Sequence, residues 1–380
     1  LHGNLTSGGT ESIFLALLSA RDWSKKNRQI SNPEVILPST AHPAFLKALH
    51  FLNIKSVIIH VDVLKWDLNS VENEINENTI MLVGSAPAYP YGSIDPISNL
   101  SELAVKHDLL LHVDACIGGF LLAYLKKIGN DVPLFDFKLS GVTSLSVDLH
   151  KYAYAPKGSS VLLYRKEELR KEQFSVYPNW EGGIYGSTTF LGTKPGGIVA
   201  STWMALNHIG EDGYVKLTHK TMDATKVISD YIQKSKDLSL IGTPIMSLLA
   251  FNSEKHDIYH IADLLSEKGW YIGRLQNPPG IHLVVSQIHA DGAAENFIAD
   301  LQSVLKSLSS SEIKNKIFKT TDALAVNALK KAGYNSIKKT ILGKTKSNKK
   351  SKKRLIYDLK SDLNLEESDD LFRSILSNLY

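Results

Sequence analysis

The stretch SVDLHKY, residues Ser146–Tyr152, places Lys151 just past a short apolar run and ahead of a Pro-Lys-Gly turn. A single lysine after a strand is most often a solvated charge. This lysine, however, would project at the carboxyl end of a sheet, where open α/β folds bind their ligands. A lysine held among apolar groups can have a depressed pKa and can attack a carbonyl carbon as an amine nucleophile. We therefore predict that Lys151 is the reactive amine of a ligand site.

Short apolar, β-branched runs alternate with segments that are long enough to form helices or crossovers. The runs are Glu34–Leu37, Ser56–Val61, Thr79–Gly84, Leu109–Asp114, Thr143–Val147 and Ser159–Tyr164. Strands that alternate with helices predict an α/β domain with a mainly parallel sheet. Apolar residues at helical spacing begin after Thr10, so the glycines of the loop before it are predicted to open a helix.

The pattern changes after Ile209, where a long amphipathic helix precedes short strands and two further helices. This predicts a large domain over residues 1–208, a smaller α+β domain over 209–310 and a Lys-rich extension over 311–380. The extension contains the run 344–354, which we interpret as a solvated linker. The chain starts at Leu1 rather than Met, and its sequence predicts a glycine-rich loop already by Leu5, so we expect residues upstream of it in the natural protein.

The composition excludes several classes of protein. Lys and Arg number 43 against 39 Asp and Glu, and much of the excess lies in the Lys-rich run, so the body of the chain gives no reason to expect nucleic-acid binding. No apolar run reaches the ~20 residues that a membrane span needs. The single cysteine, Cys116, excludes an intramolecular disulfide and is expected to be a small buried residue. These features favour a cytoplasmic location, and we assign no metal site.

Two weaker motifs accompany the lysine. Asp114 ends the apolar strand LLHVD, and although such an aspartate is often a cap, pyridoxal 5'-phosphate (PLP) needs a carboxylate against its pyridine nitrogen. Asp114 precedes Lys151 by one strand-crossover-strand interval, so both are predicted at neighbouring strand ends. The loop Thr6–Glu11 has adjacent glycines that let an anion approach the backbone at the start of a helix. By itself such a loop is more often a plain turn.

In their order along the chain, the loop, the aspartate and the lysine resemble the fold-type I PLP enzymes of the group II decarboxylase superfamily. The resemblance runs from Leu1 to about Leu308. The matching stretches are Thr6–Ser12, Ser39–Phe45, Tyr89–Gly92, Ile94–Pro96, His112–Cys116, Gly118–Phe120, Asp148–Tyr152, Ala155–Gly158, Glu181–Tyr185 and Lys194–Gly197. It implies a PLP-dependent transferase-like large domain with a smaller α+β domain after it.

The resemblance also implies a role for individual residues. Lys151 would hold PLP through a Schiff base, and Asp114 would pair with the pyridine nitrogen. The other cofactor-binding residues would be His42 on a ring face, Gly9, Thr10 and His150 at the phosphate, and Thr193 at the phosphate of the partner subunit in a homodimer. Without the resemblance, His42 could equally be a histidine at a helix start and Thr193 an ordinary turn residue.

Lys157 and either Tyr89 or Tyr91 are expected to contact the substrate, because a substrate phosphate needs cations and hydroxyl groups as binding partners. The resemblance implies an aldehyde-lyase that cleaves a phosphorylated sphingoid base by a retro-aldol reaction, giving a long-chain aldehyde and phosphoethanolamine. Two alternatives stay open. One is an amino-acid decarboxylase of the same superfamily, acting on glutamate or an aromatic amino acid, and the other is a non-catalytic relic with a structural or lipid-phosphate-binding role.

The last residues form an acidic cluster, Glu366–Asp370, before the apolar stretch Leu371–Leu376. A solvated tail explains this pattern without a special function. The pattern also resembles C-terminal translocation signals of bacterial effectors, which gives export into a eukaryotic host cell as an alternative to the cytoplasmic location.

Overall fold

The computed structural model describes residues 1–61, 65–310, 334–342 and 363–379. The chain divides into two compact units. The first comprises Leu1–Ser229, Leu240–Ala250 and Val284–Gly292, and the second comprises Asp230–Ser239, Phe251–Leu283 and the described residues from Ala293 onward. The predicted domain limits at residues 208 and 310 stay a prediction. The Lys-rich run 344–354 lies outside the described residues.

The first unit is built on a seven-stranded sheet in the order β1-β7-β6-β5-β4-β2-β3. The pairs β1–β7 and β7–β6 are antiparallel, and the other four neighbouring pairs are parallel. The predicted mainly parallel α/β fold is therefore confirmed. The strands are β1 (His2–Thr6), β2 (Glu34–Pro38), β3 (Lys55–Ile59), β4 (Thr79–Ser85), β5 (Leu110–Asp114), β6 (Ser144–Val147) and β7 (Ser160–Tyr164).

Strand β1 corrects the expectation that the chain enters a loop by Leu5. Glycine and polar residues make HGNLT a poor strand by itself, but the segment pairs in antiparallel register with β7, from His2 opposite Tyr164 to Thr6 opposite Ser160. A long-range pairing therefore overrides a weak local propensity. The strand ends at Thr6, immediately before the glycine loop.

Helices cover both faces of this sheet. They are α1 (Gly9–Arg28), α2 (Ala44–Leu52), α3 (Leu68–Glu74), α4 (Ile97–Lys106), α5 (Gly119–Lys127) and α6 (Glu167–Lys171). The long helix α7 (Gly196–Lys234) follows them in the chain and has non-helical backbone at Gly210. Side chains of β4 alternate between two apolar clusters, with Leu82 in one and Met81 and Val83 in the other. This period of two places a buried core on each side of the sheet.

Helix α1 begins where the glycine loop predicted it. Gly8 occupies the N-cap, Glu11 lies in the first turn, and three cations lie in the last turn, so charged side chains oppose the helix dipole at both ends. The helix ends at Arg28, because the following Gln29 adopts a left-handed conformation with φ 56°.

An antiparallel hairpin of β8 (Ser175–Trp180) and β9 (Gly183–Ser187) follows α6 and was not predicted from the sequence. Almost all of its residues are exposed, including Val176, Tyr177 and Trp180. Strands buried on neither face carry no alternation of apolar and polar residues, which explains why the periodicity did not reveal them.

The remaining strands form a four-stranded sheet in the order β10-β11-β13-β12. The remaining elements are β10 (Ser239–Leu240), β11 (Leu248–Asn252), α8 (Ile258–Glu267), β12 (Gly273–Gln276), β13 (Pro279–Val284), a 3-10 turn (Gln287–His289), α9 (Ala293–Ser310), α10 (Tyr334–Leu342) and α11 (Leu365–Leu379). The acidic cluster of the C-terminal segment lies in the first half of α11. Within the described ranges, every helix is too short or too polar to cross a bilayer.

Candidate functional site

The sheet brings the predicted aspartate and lysine to one edge. Strands β5 and β6 are parallel neighbours, with Asp114 opposite Ser146. Asp114 is the last residue of β5, and Lys151 follows the end of β6 in a short turn. The prediction that the two residues lie at the ends of neighbouring strands is confirmed.

A cavity of about 310 Å³ opens at this edge, inside the first unit. Its volume is at the lower end of the range for small-molecule and cofactor sites, ~300–1,000 Å³. Seven of the predicted site residues line it: Gly9, Thr10, His42, Tyr89, Asp114, His150 and Lys151. Lys157 and Thr193 are described but do not line it, and both are exposed. Residues that the sequence did not single out also line it, among them Ser85, Cys116 and Asp148.

The N-terminus of α1 forms one wall of the cavity. A Cβ atom added to Gly9 would lie 2.8 Å from Cys116 Sγ and 2.9 Å from Asp148 Oδ1, closer than atoms can approach. A side chain at this position would displace Cys116 or Asp148, and Gly9 itself lines the cavity. The positive end of the helix dipole, with Thr10 beside it, makes this wall suited to an anionic group.

Asp114 is held in one orientation by its neighbours. The backbone N–H of Cys116 donates to Asp114 Oδ1 at 3.0 Å, and the Ser146 hydroxyl donates to the same oxygen at 3.4 Å. Behind it, the fully buried His112 shares a hydrogen bond of 2.8 Å between its Nδ1 and Ser144 Oγ. Burial lowers the pKa of His112 to about 4, against the opposing effect of the Asp114 charge, so the imidazole is neutral at pH 7.

A second buried carboxylate, Asp95, lies behind the same strand ends. The backbone N–H of Ser85 donates to Asp95 Oδ2 at 2.7 Å, and Trp66 Nε1 donates to Oδ1 at 3.1 Å. Burial raises the pKa of Asp95 to about 7; the two donors oppose this rise, and the negative charge of Asp114 adds to it. The sequence contained this residue in the stretch Ile94–Pro96 but gave no sign that it would be buried.

Lys151 is paired with a carboxylate that the sequence analysis did not assign. Its Nζ lies 3.0 Å from Asp148 Oδ2, and the carboxylate is almost completely buried. Burial by itself would lower the pKa of Lys151, but the nearby negative charges, that of Asp148 first and that of Asp114 after it, together with the Asp148 hydrogen bond outweigh burial, and the pKa is raised. The expectation of a depressed lysine pKa was wrong, because it considered the apolar surroundings and not the nearby charge.

His150 and His42 are each oriented by one hydrogen bond. His150 Nδ1 lies 2.8 Å from the carbonyl oxygen of Ser159, so this nitrogen donates and Nε2 faces Asp148 Oδ2 at 3.6 Å. His42 Nδ1 accepts from the backbone N–H of Ala44 at 3.2 Å, just before α2. His42 thus lies at the start of a helix and also lines the cavity, while its role on a ring face stays a prediction.

Tyrosines hold the segment that joins Lys151 to Lys157. The Tyr152 hydroxyl shares a hydrogen bond of 2.6 Å with Ser247 Oγ, and the Tyr214 hydroxyl donates to the Ala153 carbonyl oxygen at 2.7 Å. Tyr154 adopts a left-handed conformation with φ 56°, which a non-glycine residue adopts at a cost in energy. The backbone that positions Lys151 is therefore fixed by contacts beyond the strand itself.

The two tyrosines that are candidates for contacting the substrate differ in exposure. Tyr89 is 44% exposed at the mouth of the cavity, whereas Tyr91 is buried, and its burial raises the pKa of the hydroxyl. Among the described residues, no group of three or more His, Cys, Asp or Glu side chains is arranged to hold a metal ion.

The chain is similar in sequence to known proteins. Residues 2–254 match the pyridoxal-dependent decarboxylase conserved domain. The sphingosine-1-phosphate lyase of Arabidopsis thaliana is 43% identical over 307 residues, which are 80% of this chain and 56% of that protein. The probable sphingosine-1-phosphate lyase of Legionella pneumophila is 35% identical over 320 residues, 80% of this chain and 52% of that protein. The chain thus spans about half the length of these relatives.

Solved structures share the fold. The sphingosine-1-phosphate lyase of Burkholderia pseudomallei matches with a TM-score of 0.79 at 38% identity, over 85% of this chain and 74% of that chain. The glutamate decarboxylase of Lactobacillus brevis matches with a TM-score of 0.71 over 81% of this chain and 75% of that chain, but at 21% identity this likeness shows the fold alone.

Proposed function

The chain belongs to the pyridoxal-dependent decarboxylase family, in its sphingosine-1-phosphate lyase group, and on this basis we propose that it cleaves a phosphorylated sphingoid base into a long-chain aldehyde and phosphoethanolamine. Its cofactor is PLP. The proposal rests on one observation: Gly9, the Asp114 carboxylate and the Lys151 amine line the same cavity. The substrate class comes from its relatives, which are sphingosine-1-phosphate lyases.

The residues of the cavity fit PLP. The N-terminus of α1 lines the cavity with Gly8, Gly9 and Thr10, and the helix dipole there suits the phosphate. Thr10 and His150 would complete the phosphate site, and His42 would lie on a ring face. Asp114, fixed by two donors, would keep the pyridine nitrogen protonated, and the Lys151 amine would form the covalent link.

The division of roles follows from these groups. Bound PLP supplies an electron-accepting ring that stabilises the charge left when a bond at the amine-bearing carbon breaks. Asp114 would hold the ring proton that this requires. Lys151 would hold the cofactor, leave it when the substrate amine arrives, and return a proton from Nζ to the reacting carbon.

Lys157 and Tyr89 would bind the phosphate of the substrate. Lys157 is an exposed cation on the segment fixed by the tyrosines, and Tyr89 lines the mouth of the cavity. A cation and a hydroxyl give charge-assisted contacts to a phosphate, and these would anchor one end of the substrate while the hydroxyl-bearing carbon lies over the ring. Binding energy gained at this distance from the reacting bond can raise the cleavage rate as well as the affinity.

The decisive experiment uses the natural protein at full length with PLP. It should release a long-chain aldehyde and phosphoethanolamine from sphingosine 1-phosphate, measured by mass spectrometry. Release of carbon dioxide from glutamate or an aromatic amino acid, with no aldehyde from the phosphorylated base, would transfer the assignment to the decarboxylase alternative. A protein that binds no PLP and releases neither product would be the non-catalytic relic.

The proposed active form is a homodimer in which Thr193 of each subunit completes the phosphate site of the other. Support comes from the hairpin β8–β9, which exposes large apolar side chains, with Trp180 60% and Ile184 83% exposed. Contiguous apolar surface of this kind marks interaction sites. Ile184→Asp should yield monomers in light scattering, whereas Tyr271→Asp, at an exposed aromatic of the second unit, should leave dimers. A fully active monomer would refute the arrangement.

We propose a cytoplasmic location, with export as a bacterial effector into a eukaryotic host cell as the alternative. The alternative is supported by the acidic first half of α11 and by the bacterial relative in Legionella pneumophila. A translocation reporter fused to the chain should lose host entry when residues 345–380 are removed. Normal entry of the shortened fusion would remove the support for export.

A further inference from the structure

Asp148 is a buried carboxylate to which the proposed reaction assigns no task. It is 3% exposed and lies between the Gly9 wall and Lys151. Its Oδ1 accepts a hydrogen bond from the Ser160 hydroxyl, and its Oδ2 lies 3.0 Å from Lys151 Nζ. A carboxylate at this depth requires compensation by a positive charge, because a hydroxyl donor alone does not offset the loss of hydration.

The packing of the cavity does not explain why the residue carries a charge. Asparagine has almost the same size and would fill the same space beside Gly9 and Ser160. The charge also lies next to the wall proposed for the cofactor phosphate, where an uncompensated anion would repel that group. A partner cation is therefore part of the arrangement, and Lys151 is at ion-pair distance.

The charges around Lys151 determine its protonation state. Asp148 and Asp114 act on it as carboxylates, while His150 Nε2 faces the same Asp148 oxygen. Burial raises the pKa of the Cys116 thiol, so this group stays neutral beside them. The other polar side chains of the cavity are those of Ser7, Thr10, Glu11, His42, Ser85 and Tyr89. Asp148 is the nearest of these groups with an opposite charge, and it favours the ammonium form of Lys151 over the neutral amine.

We propose that Asp148 is a positioning residue that keeps Lys151 in the ammonium form whenever its Nζ is not bonded to the cofactor. This inference rests on the proposed role of Lys151. When the substrate amine has displaced the lysine, Nζ then carries the proton that the reacting carbon needs. Transfer of that proton to carbon leaves a neutral amine, which is the form that can bond to the cofactor again. Asp148 thereby makes the displaced lysine an acid rather than a base.

The first test measures the titration of Lys151 in the full chain freed of PLP. Competitive labelling with trace acetic anhydride over a range of pH, read by peptide mass spectrometry, gives the pKa of this one amine. Lys151 should titrate above ~10.4, the value of an unperturbed lysine. Because this measurement uses the unmodified protein, it remains decisive even if a variant fails to fold.

The second test compares variants by the same labelling. Asp148→Asn should increase the labelling rate of Lys151 at pH 7 by about tenfold or more, since each unit of lower pKa raises the neutral fraction about tenfold. Ser160→Ala removes a hydrogen bond but keeps the charge, and it should leave the profile unchanged. Glu34→Gln breaks another carboxylate-lysine pair, 2.7 Å from Lys55, and serves as the control for the general effect of removing a charge.

A Lys151 pKa below the ordinary value, or an Asp148→Asn profile that coincides with that of the unmodified protein, would overturn the proposal. Failure of the proposed function would look different. In that case the unmodified protein would show no visible absorbance band on addition of PLP, while the labelling would still report the charge on Lys151.

Discussion

Replacing Asp95 by asparagine should change how the stability of the protein depends on pH. In the folded chain burial raises the pKa of this carboxyl from 3.8 to about 7, so the folded state holds the proton more tightly than the unfolded state. The contribution of Asp95 to stability is therefore greatest below pH 4, where it is protonated in both states. This contribution is lost as the pH rises from about 4 through about 7, because over this range the unfolded chain has lost the proton that the folded chain keeps.

The size of the effect follows from the displacement of the pKa. At 1.36 kcal/mol per pKa unit, the rise from 3.8 to about 7 corresponds to about 4 kcal/mol of unfolding free energy. Asparagine has one acceptor oxygen for the two donors, Ser85 N–H and Trp66 Nε1, so one donor loses its partner at a cost of about 1–3 kcal/mol. This cost does not vary with pH. Asp95→Asn should thus be less stable than the unmodified protein at pH 4 and gain about 4 kcal/mol relative to it by pH 8.

Urea unfolding followed by tryptophan fluorescence at several pH values measures this difference. The buried His112 acts in the opposite direction between pH 4 and 6.5, because its pKa is lowered to about 4, but it is present in both proteins and cancels in the comparison. Glu102→Gln, on an exposed position of α4, is the control for removing a surface carboxylate. A difference for Asp95→Asn that does not change with pH would refute the buried-charge reasoning.

Further substitutions test the proposed site. Lys151→Ala should abolish the visible absorbance band that PLP gives when bonded to the protein, and a retained band would exclude this lysine. Asp114→Asn loses a charge-assisted hydrogen bond of about 1.5–3 kcal/mol, so PLP should bind about tenfold more weakly or worse by fluorescence titration. Gly9→Ala should cost about 1–3 kcal/mol in stability or PLP affinity, because its Cβ would lie 2.8 Å from Cys116 Sγ. Lys157→Ala should lower both turnover and substrate affinity in steady-state kinetics, while the exposed Lys166→Ala should change neither.

Much of the first unit could be predicted from the sequence, because its signals are local. Each of the six predicted strands begins and ends within two residues of the observed one, since buried parallel strands are short apolar runs bounded by polar residues. The glycine loop before α1 and the placing of Asp114 and Lys151 after neighbouring strands follow from the same pattern. The order of these motifs was sufficient to indicate the family and its cofactor.

Only the tertiary structure decided the electrostatics of the site. Asp148 is three residues before Lys151, but the sequence does not say whether their side chains meet, and their ion pair reverses the expected direction of the lysine pKa. Asp95 lies in the loop between β4 and α4, and the fold buries its side chain behind the strand ends, where burial raises its pKa. Periodicity reports which residues are buried, whereas a pKa depends on distances through space between charges, and the folded backbone alone sets those distances.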